Sequence, residues 1–435
     1  MESIIASGSD FLCGPLSYDV LNDQASYVTG RRNCQIFASV PEAGPLSVKS
    51  VKFNIADPNC FIDLSTLCFS WTVRENGGVN SLQPLTAIPH NYWSRMIIRC
   101  SSALVEDLGG GHLGRTEEMF SRFLSQAKRE NAAVMGHGWT AGTQAGNDHK
   151  ARPIVAHTEK RVVWRPLTSG ILNCNNFLPA LLLGSGGFTI EMEIAPAADA
   201  VRCHATDSQN YILKDLICHV DCCTLTSELT DQYSSLLLSG RSIMIPYTSM
   251  DCTLQYLTAL TGSHDINLAK NWVRLDTVFC SLDKEEIDAT NDDAGIFNRH
   301  INRFWLPGAS SEIVETYINV NNKRWGDFNT LGAAQHWNRL IRALGTMPSI
   351  AHSSNINDVT YGCVPGTDAS SWVAGYDLEK VAMATASGEN VSTGGLVGIH
   401  LKNVGTAAAS PTRAYVVACY SAVLELKDTG AFVYS

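Results

Sequence analysis

The chain has 435 residues, 45% of them hydrophobic and only 17% charged, with a formal net charge of −10. No stretch is densely basic and no Lys or Arg precedes Arg31, while Glu2, Asp10, Asp19 and Asp23 are acidic. That excludes a phosphate-neutralising arm, which needs clustered cations, and so little charge points to an exterior covered by sister copies.

In chain order, residues 1–45 read as an extended arm, polar and punctuated by Gly and Pro, with strands expected from Leu46 onward. Residues 1–14 show neither a cationic segment nor a sustained apolar core, so no signal peptide is expected. No run approaches the roughly eighteen apolar residues of a membrane span, and a soluble protein made in the cytosol is the expectation. Val51-Lys52-Phe53-Asn54-Ile55 alternates as a half-buried strand requires, and 67–73 repeats the pattern with bulkier residues. Residues 93–105 read as a longer strand pair, and 161–165 as a further strand after a long loop. Between them a helix is expected over 116–131, capped by Thr116, with Glu117 and Glu118 at its positive end and Lys128 and Arg129 at the other. Its stripe is Met119, Phe120, Phe123, Leu124 and Ala127. Alternating strands follow at 188–195 and 211–226.

A boundary is expected near 227–240, before a new strand at 242–247 and another at 272–282. A second helix is expected over 327–344, capped by Asp327, striped by Ala333, Trp337, Leu340, Ile341 and Leu344 and stopped by Gly345. Both helices are expected to lie on the outside of their own sandwich. Strands at 396–404 and 413–427 close the chain, whereas 346–366 carries no obvious strand run. Three loops, 132–160, 283–307 and 346–371, are long enough to suggest a partner or a function. The same order of elements occurs twice, offset by roughly 200 to 210 positions, with slight identity between the halves.

Signals for chemistry are weak. Gly109-Gly110-Gly111-His112-Leu113-Gly114 fits GxGxxG but lacks the βαβ context of a dinucleotide site, and a glycine turn between strand and helix is the better reading. His90 reads as a polar residue at the start of a strand; His137, His149 and His157 share a loop without metal-site spacing. The acids of 283–293 fail the EF-hand spacing and read as a solvated face. No GxSxG elbow occurs. The tryptophans Trp71, Trp93, Trp164, Trp272, Trp325, Trp337 and Trp372 lack the interleaved cations of a base-stacking platform and read as packing residues. Of 14 cysteines, Cys68, Cys100, Cys218, Cys280 and Cys419 sit in apolar strand patterns, and the group Cys218, Cys222, Cys223 lacks CxxC pairs. Free thiols in a reducing compartment are expected, leaving the sequon at Asn390 unused. No catalytic, cofactor-binding or metal-ligating residue is assigned.

The pattern resembles the double jelly-roll major capsid proteins of the adenovirus-hexon-like lineage of DNA viruses. The likeness rests on Pro84-Leu85-Thr86-Ala87-Ile88-Pro89-His90-Asn91-Tyr92-Trp93 with the strand 95–105 and the helix carrying Met119-Phe120. It continues through Val163-Trp164-Arg165-Pro166-Leu167, the strand 188–194, and 237–247 with 272–282. The last part is Tyr376-Asp377-Leu378-Glu379-Lys380 with 414–426 and 428–434. The resemblance implies an all-β chain of two tandem eight-stranded jelly-roll sandwiches, each with a helix inserted between strands. Residues 1–45 would form an N-terminal arm that orders on assembly, 46–235 the first jelly roll and 236–435 the second. It further implies a homotrimer of pseudo-hexagonal outline tiling an icosahedral shell, a virion component synthesised in host cytoplasm, not an enzyme and without a cofactor. Its partners would be itself, neighbouring capsomers and minor or penton proteins, with no sequence-specific nucleic-acid contact. The loops 132–160 and 283–307 would form the outer surface and the trimer clasp. Three alternatives stay open: a two-jelly-roll coat protein of a small RNA virus, a double-β-sandwich glycan-acting enzyme, and a sugar-binding module.

Overall fold

A computed structural model describes residues 28–435 apart from 57–59, 77, 141–150, 181–182, 184–185, 203–206, 258–261, 284–303, 305–312, 346–353, 355, 357, 363–370, 382–386, 393–394 and 405–410. Unit one contains β1 (Val28–Phe37), the short β2 (Glu42–Ala43), β3 (Ser50–Ile55), β4 (Phe61–Glu75), β5 (Trp93–Cys100) and β6 (Ala103–Leu108). Helices α1 (Leu113–Phe123) and α2 (Gln126–Met135) follow, then β7 (Glu159–Trp164), the short β8 (Leu178–Pro179), β9 (Phe188–Ile194), α3 (Ala197–Ala200) and β10 (Tyr211–Leu225). A connecting helix, α4 (Ser227–Leu238), leads to unit two: β11 (Ile243–Tyr256), β12 (Ser263–Leu268), β13 (Leu275–Asp283), β14 (Glu315–Val320) and β15 (Lys323–Leu331). There α5 (Gly332–Ala343) and α6 (Asp358–Tyr361) precede β16 (Val373–Asp377), β17 (Val397–Lys402), β18 (Arg413–Lys427) and β19 (Gly430–Tyr434).

Two antiparallel sheets make each unit. In unit one their orders are β1-β10-β4-β7, extended by β2 and β8, and β3-β9-β5-β6. In unit two they are β11-β18-β13-β16, extended by β19, and β12-β17-β14-β15. Leaving out the short additions, both units pair their strands as first-eighth-third-sixth and second-seventh-fourth-fifth. That order is a jelly roll, and it occurs twice, as the sequence pattern implies. In each unit the main helix stands between the fifth and sixth strands, α1 after β6 and α5 after β15.

Local chemistry accounts for the elements. β3 and β12 share one burial rhythm, with Val51, Phe53 and Ile55 inward in the first and His264, Ile266 and Leu268 inward in the second. Asn321 and Asn322, both at positive φ, make the tight β14–β15 hairpin, a backbone state that asparagine tolerates. Unit one's core is centred on Trp71, whose ring meets Trp93 at 5.3 Å and Trp164 at 6.3 Å, both edge-on. Unit two's core gathers Phe279, Trp372, Tyr376 and Tyr415.

Several expectations need correction. Among the described residues strands begin at Val28, not Leu46: β1 pairs with β10 over Val28–Phe37, so part of the expected arm is a strand of unit one. The first helix is not continuous over 116–131. It starts at Leu113 and breaks at Leu124 and Ser125, both extended, where the Ser125 hydroxyl accepts the Lys128 N–H and starts α2. Thr116 is therefore no cap; its hydroxyl donates to the His112 carbonyl within the first turn. Asp327 is no cap either, because β15 runs on to Leu331 and α5 starts at Gly332, although Gly345 ends it as expected. The boundary region is the helix α4, whose Tyr233 ring sits 5.8 Å from Phe61. The segment 346–366, which lacks a strand pattern, shows α6 among its described residues. Most of 283–307 lies outside the described residues, as does 141–150 of the first long loop.

Candidate functional site

The main helices do not both lie on their own sandwich: α1 is held between the two. Nine of its eleven residues are buried, and Met119 and Phe123 belong to the core of unit two. The turn that delivers it is Gly109-Gly110-Gly111, all three at positive φ. A side chain at Gly109 would strike the Leu113 backbone nitrogen at 2.5 Å, and one at Gly110 the Cys252 carbonyl oxygen of β11 at 2.7 Å. Close approach recurs at Gly170, where a Cβ would lie 1.8 Å from the Thr248 carbonyl oxygen. The motif that resembled a dinucleotide fingerprint is thus a turn that lets two sandwiches touch.

This seam contains specific contacts. The Tyr247 hydroxyl donates to the Val105 carbonyl at 2.8 Å. Arg115, fully buried, donates to Ser281 Oγ and the Leu282 carbonyl, both at 3.4 Å, and lays its guanidinium 3.9 Å over Phe304. Phe120 and Phe123 pack on Phe279 with ring centroids 5.6 and 5.7 Å apart. Reciprocally, Ile245, Tyr247, Ala422, Leu424 and Leu426 of unit two complete the core of unit one.

A buried ionic cluster sits behind α1. Glu118 meets Arg129 at 2.6 Å, Arg122 at 3.1 Å and His90 Nε2 at 3.3 Å. Burial pushes the Glu118 carboxyl up, yet Arg129, His90 and Arg122 together outweigh that and hold it well below the usual carboxylate range. Burial brings Arg122 down to about 10 despite Glu118; its guanidinium donates across the seam to Ser371 Oγ at 2.8 Å. Glu117 accepts the Leu167 and Thr168 backbone N–H groups and the Thr168 hydroxyl, and burial raises its pKa. Glu106 on β6 accepts from the Ser169 hydroxyl at 2.5 Å and the Gly170 N–H at 2.9 Å. Burial pushes it up to about 7, against the pull of those donors. Glu117 and Glu118, which read as dipole partners of a helix start, are instead its internal polar anchors. They are saturated with donors, so the arrangement fixes geometry and offers no free acid to a substrate.

The other singled-out residues disperse. His90 lies fully buried in the turn Pro89–Tyr92, and His137 receives or gives a hydrogen bond at 2.9 Å to Tyr92 Oη, its pKa lowered by burial to about 3. His157 stands apart beside Glu75, and His149 lies outside the described residues. Most of the acidic loop 283–293 is also outside them. No group of three or more His, Cys, Asp or Glu among the described residues could hold a metal ion. The tryptophans are core residues, with Trp325 and Trp337 half-buried against unit two. Each described cysteine is a free thiol; Cys100, Cys218, Cys280 and Cys419 are buried and Cys68 is half-buried. Asn390 accepts the Ser392 N–H and hydroxyl in a local turn. Among the described residues no helix is long and apolar enough to cross a membrane.

No family model matches the chain, and no curated protein matches it. Solved structures do. The Faustovirus major capsid protein aligns over 95% of this chain and 93% of its own, with a TM-score of 0.61 at 8% identity. A chain of the PBCV-1 virus capsid aligns over 94% and 97%, with a TM-score of 0.60 at 12% identity. The mavirus major capsid protein aligns over 100% and 95%, with a TM-score of 0.52 at 9% identity. The class the fold defines is therefore the double jelly roll, shared over nearly the whole length of these viral proteins.

Proposed function

We propose that this chain is a major capsid protein: three copies form a pseudo-hexameric block, and such blocks tile an icosahedral viral shell. One observation carries the reading. Two jelly rolls with identical strand order are fused through a buried seam, and the pair spans the length of two chains named as major capsid proteins. Exposed apolar side chains on several elements, among them Phe37, Leu238, Met244 and Phe328, supply the adhesive walls that such tiling requires. In this reading the modules meet near residue 235, at the α4 connection, and the virion is the protein's destination. Its partners are itself and neighbouring capsomers, with minor or penton proteins at the lattice edges. The chain is not an enzyme in this reading, and the saturation of Glu106, Glu117 and Glu118 by donors supports that. The test is electron microscopy with light scattering on the purified full chain. A three-fold particle of pseudo-hexagonal outline and three times the chain mass is expected; a persistent monomer overturns the proposal.

A further inference from the structure

β11 and β18 run past their neighbour in unit two. β13 pairs with β18 no further than Tyr420, yet β18 continues to Lys427 with β11 still beside it, Ile243 opposite Leu426. There the place of β13 is taken by β19, which turns back at Asp428-Thr429 and pairs from Gly430 opposite Lys427 to Tyr434 opposite Val423. The result is a three-stranded flap. Directly opposite residues share one face of a sheet, so Ile243, Leu426 and Ala431 make one row and Ile245, Leu424 and Val433 the next. All of these side chains pack in the core of unit one, although the strands belong to unit two. The other face turns outward, with Met244 and Phe432 exposed on either side of Glu425. Glu425 ties the flap together, accepting from the Tyr434 hydroxyl and from Lys427, each at 2.8 Å. β19 lies against β6, the strand whose Val105 carbonyl accepts from Tyr247 of the same flap.

We propose that this flap is a folding strap: unit one, although it comes first in the sequence, completes its core only when β18 and β19 close over β6. Domains generally fold as units, the N-terminal one first during synthesis. Here that order is closed off, because Leu424, Leu426, Ala431 and Val433 are encoded after every other strand of both sandwiches. Until they arrive, β6 lacks its cover and unit one stays open. A chain interrupted before β18 thus holds two unfinished units and no finished wall for a neighbour to meet. The strap acts within one chain, so the inference stands apart from the capsid reading.

The experiment is amide hydrogen exchange on the full chain, read by mass spectrometry. Val433→Asp, which turns a charge toward unit one, speeds exchange in the β5–β6 ladder at least about tenfold and leaves the β14–β17 ladder of unit two unchanged. Phe432→Ser, one residue away on the outward face, stays within about twofold of wild type in both. Circular dichroism verifies folding; should Val433→Asp unfold, Val433→Ala takes its place with a smaller shift in the same ladder. Pulse labelling during refolding of the wild-type chain supplies the order of events, with β6 gaining protection no earlier than β18. A Val433→Asp effect confined to β13, β14 and β17 would make β19 an ordinary edge strand of unit two and overturn the proposal. Full protection of β5 and β6 before β18 is protected overturns it as well, whatever the assembly state of the chain.

Discussion

Glu118→Gln removes one charge at the point where four side chains and both units converge. The carboxylate is buried, and it is within ion-pair distance of Arg129, Arg122 and His90. A glutamine keeps the volume, so no cavity forms; what changes is that buried guanidinium groups lose their counter-charge. Breaking a buried pair from one side costs about 3–5 kcal/mol. The lower part of that range applies, because Arg122 keeps Ser371 and the face of Phe304. With a slope of ~3 kcal/mol per M, that moves the urea midpoint down by about 1 M, read from tryptophan fluorescence at pH 7. The carboxylate is held below the ordinary range, so its contribution is complete above about pH 5 and fades as acid protonates it, and the variant loses that acid-side slope. Glu130→Gln, on the half-exposed side of α2 where Gln126 donates to it, stays within about 0.5 kcal/mol. A Glu118→Gln midpoint within about 0.2 M of wild type, the reproducibility of such curves, would refute the idea that this cluster locks the seam.

Three further outcomes are expected. Glu106 titrates near 7 in the folded chain against an ordinary 4.5, so the folded state holds its proton more tightly and stability falls as pH rises from about 4.5 to 7. Glu106→Gln flattens that slope and gains up to about 3 kcal/mol relative to wild type at pH 8, measured by denaturation at several pH values; equal slopes in both proteins would contradict it. Gly170→Ala, with a carbonyl 1.8 Å from the new carbon, lowers stability by about 3 kcal/mol or yields insoluble chain. By contrast Gly240→Ala, at φ 81° in open space, costs only about 1 kcal/mol. In native alkylation at pH 8, the half-buried Cys34, Cys68 and Cys174 react well before Cys100 and Cys280, whose thiols burial raises to about 12; equal rates would mean the sandwiches open readily.

The strands that one unit's own core demands were legible. Residues 51–55, 188–194 and 413–427 alternate because one face meets a facing sheet, and periodicity records that directly. β1 was missed because it is exposed on nearly every residue and leaves no alternation to read. The seam was missed for a different reason. Glu117 and Glu118 directly after Thr116 look like a helix start, and only the tertiary partners Thr168, Arg129 and His90 show that they are mid-helix anchors. Asp327 misled similarly, since β15 keeps its pairing with β14 past that residue before α5 can begin. A signal was present in Gly109-Gly110-Gly111 and Gly170: backbone without side chains marks where another backbone must come close.

Because α4 tethers β10 to β11, the internal junction closes as a first-order event, at an effective concentration on the order of millimolar whatever the amount of protein present. Contacts between chains lack that advantage and depend on collision. In the proposed capsomer, assembly is thereby ordered in time: each polypeptide would complete its inner joint while dilute, and only accumulation of the chain would drive the later, second-order steps.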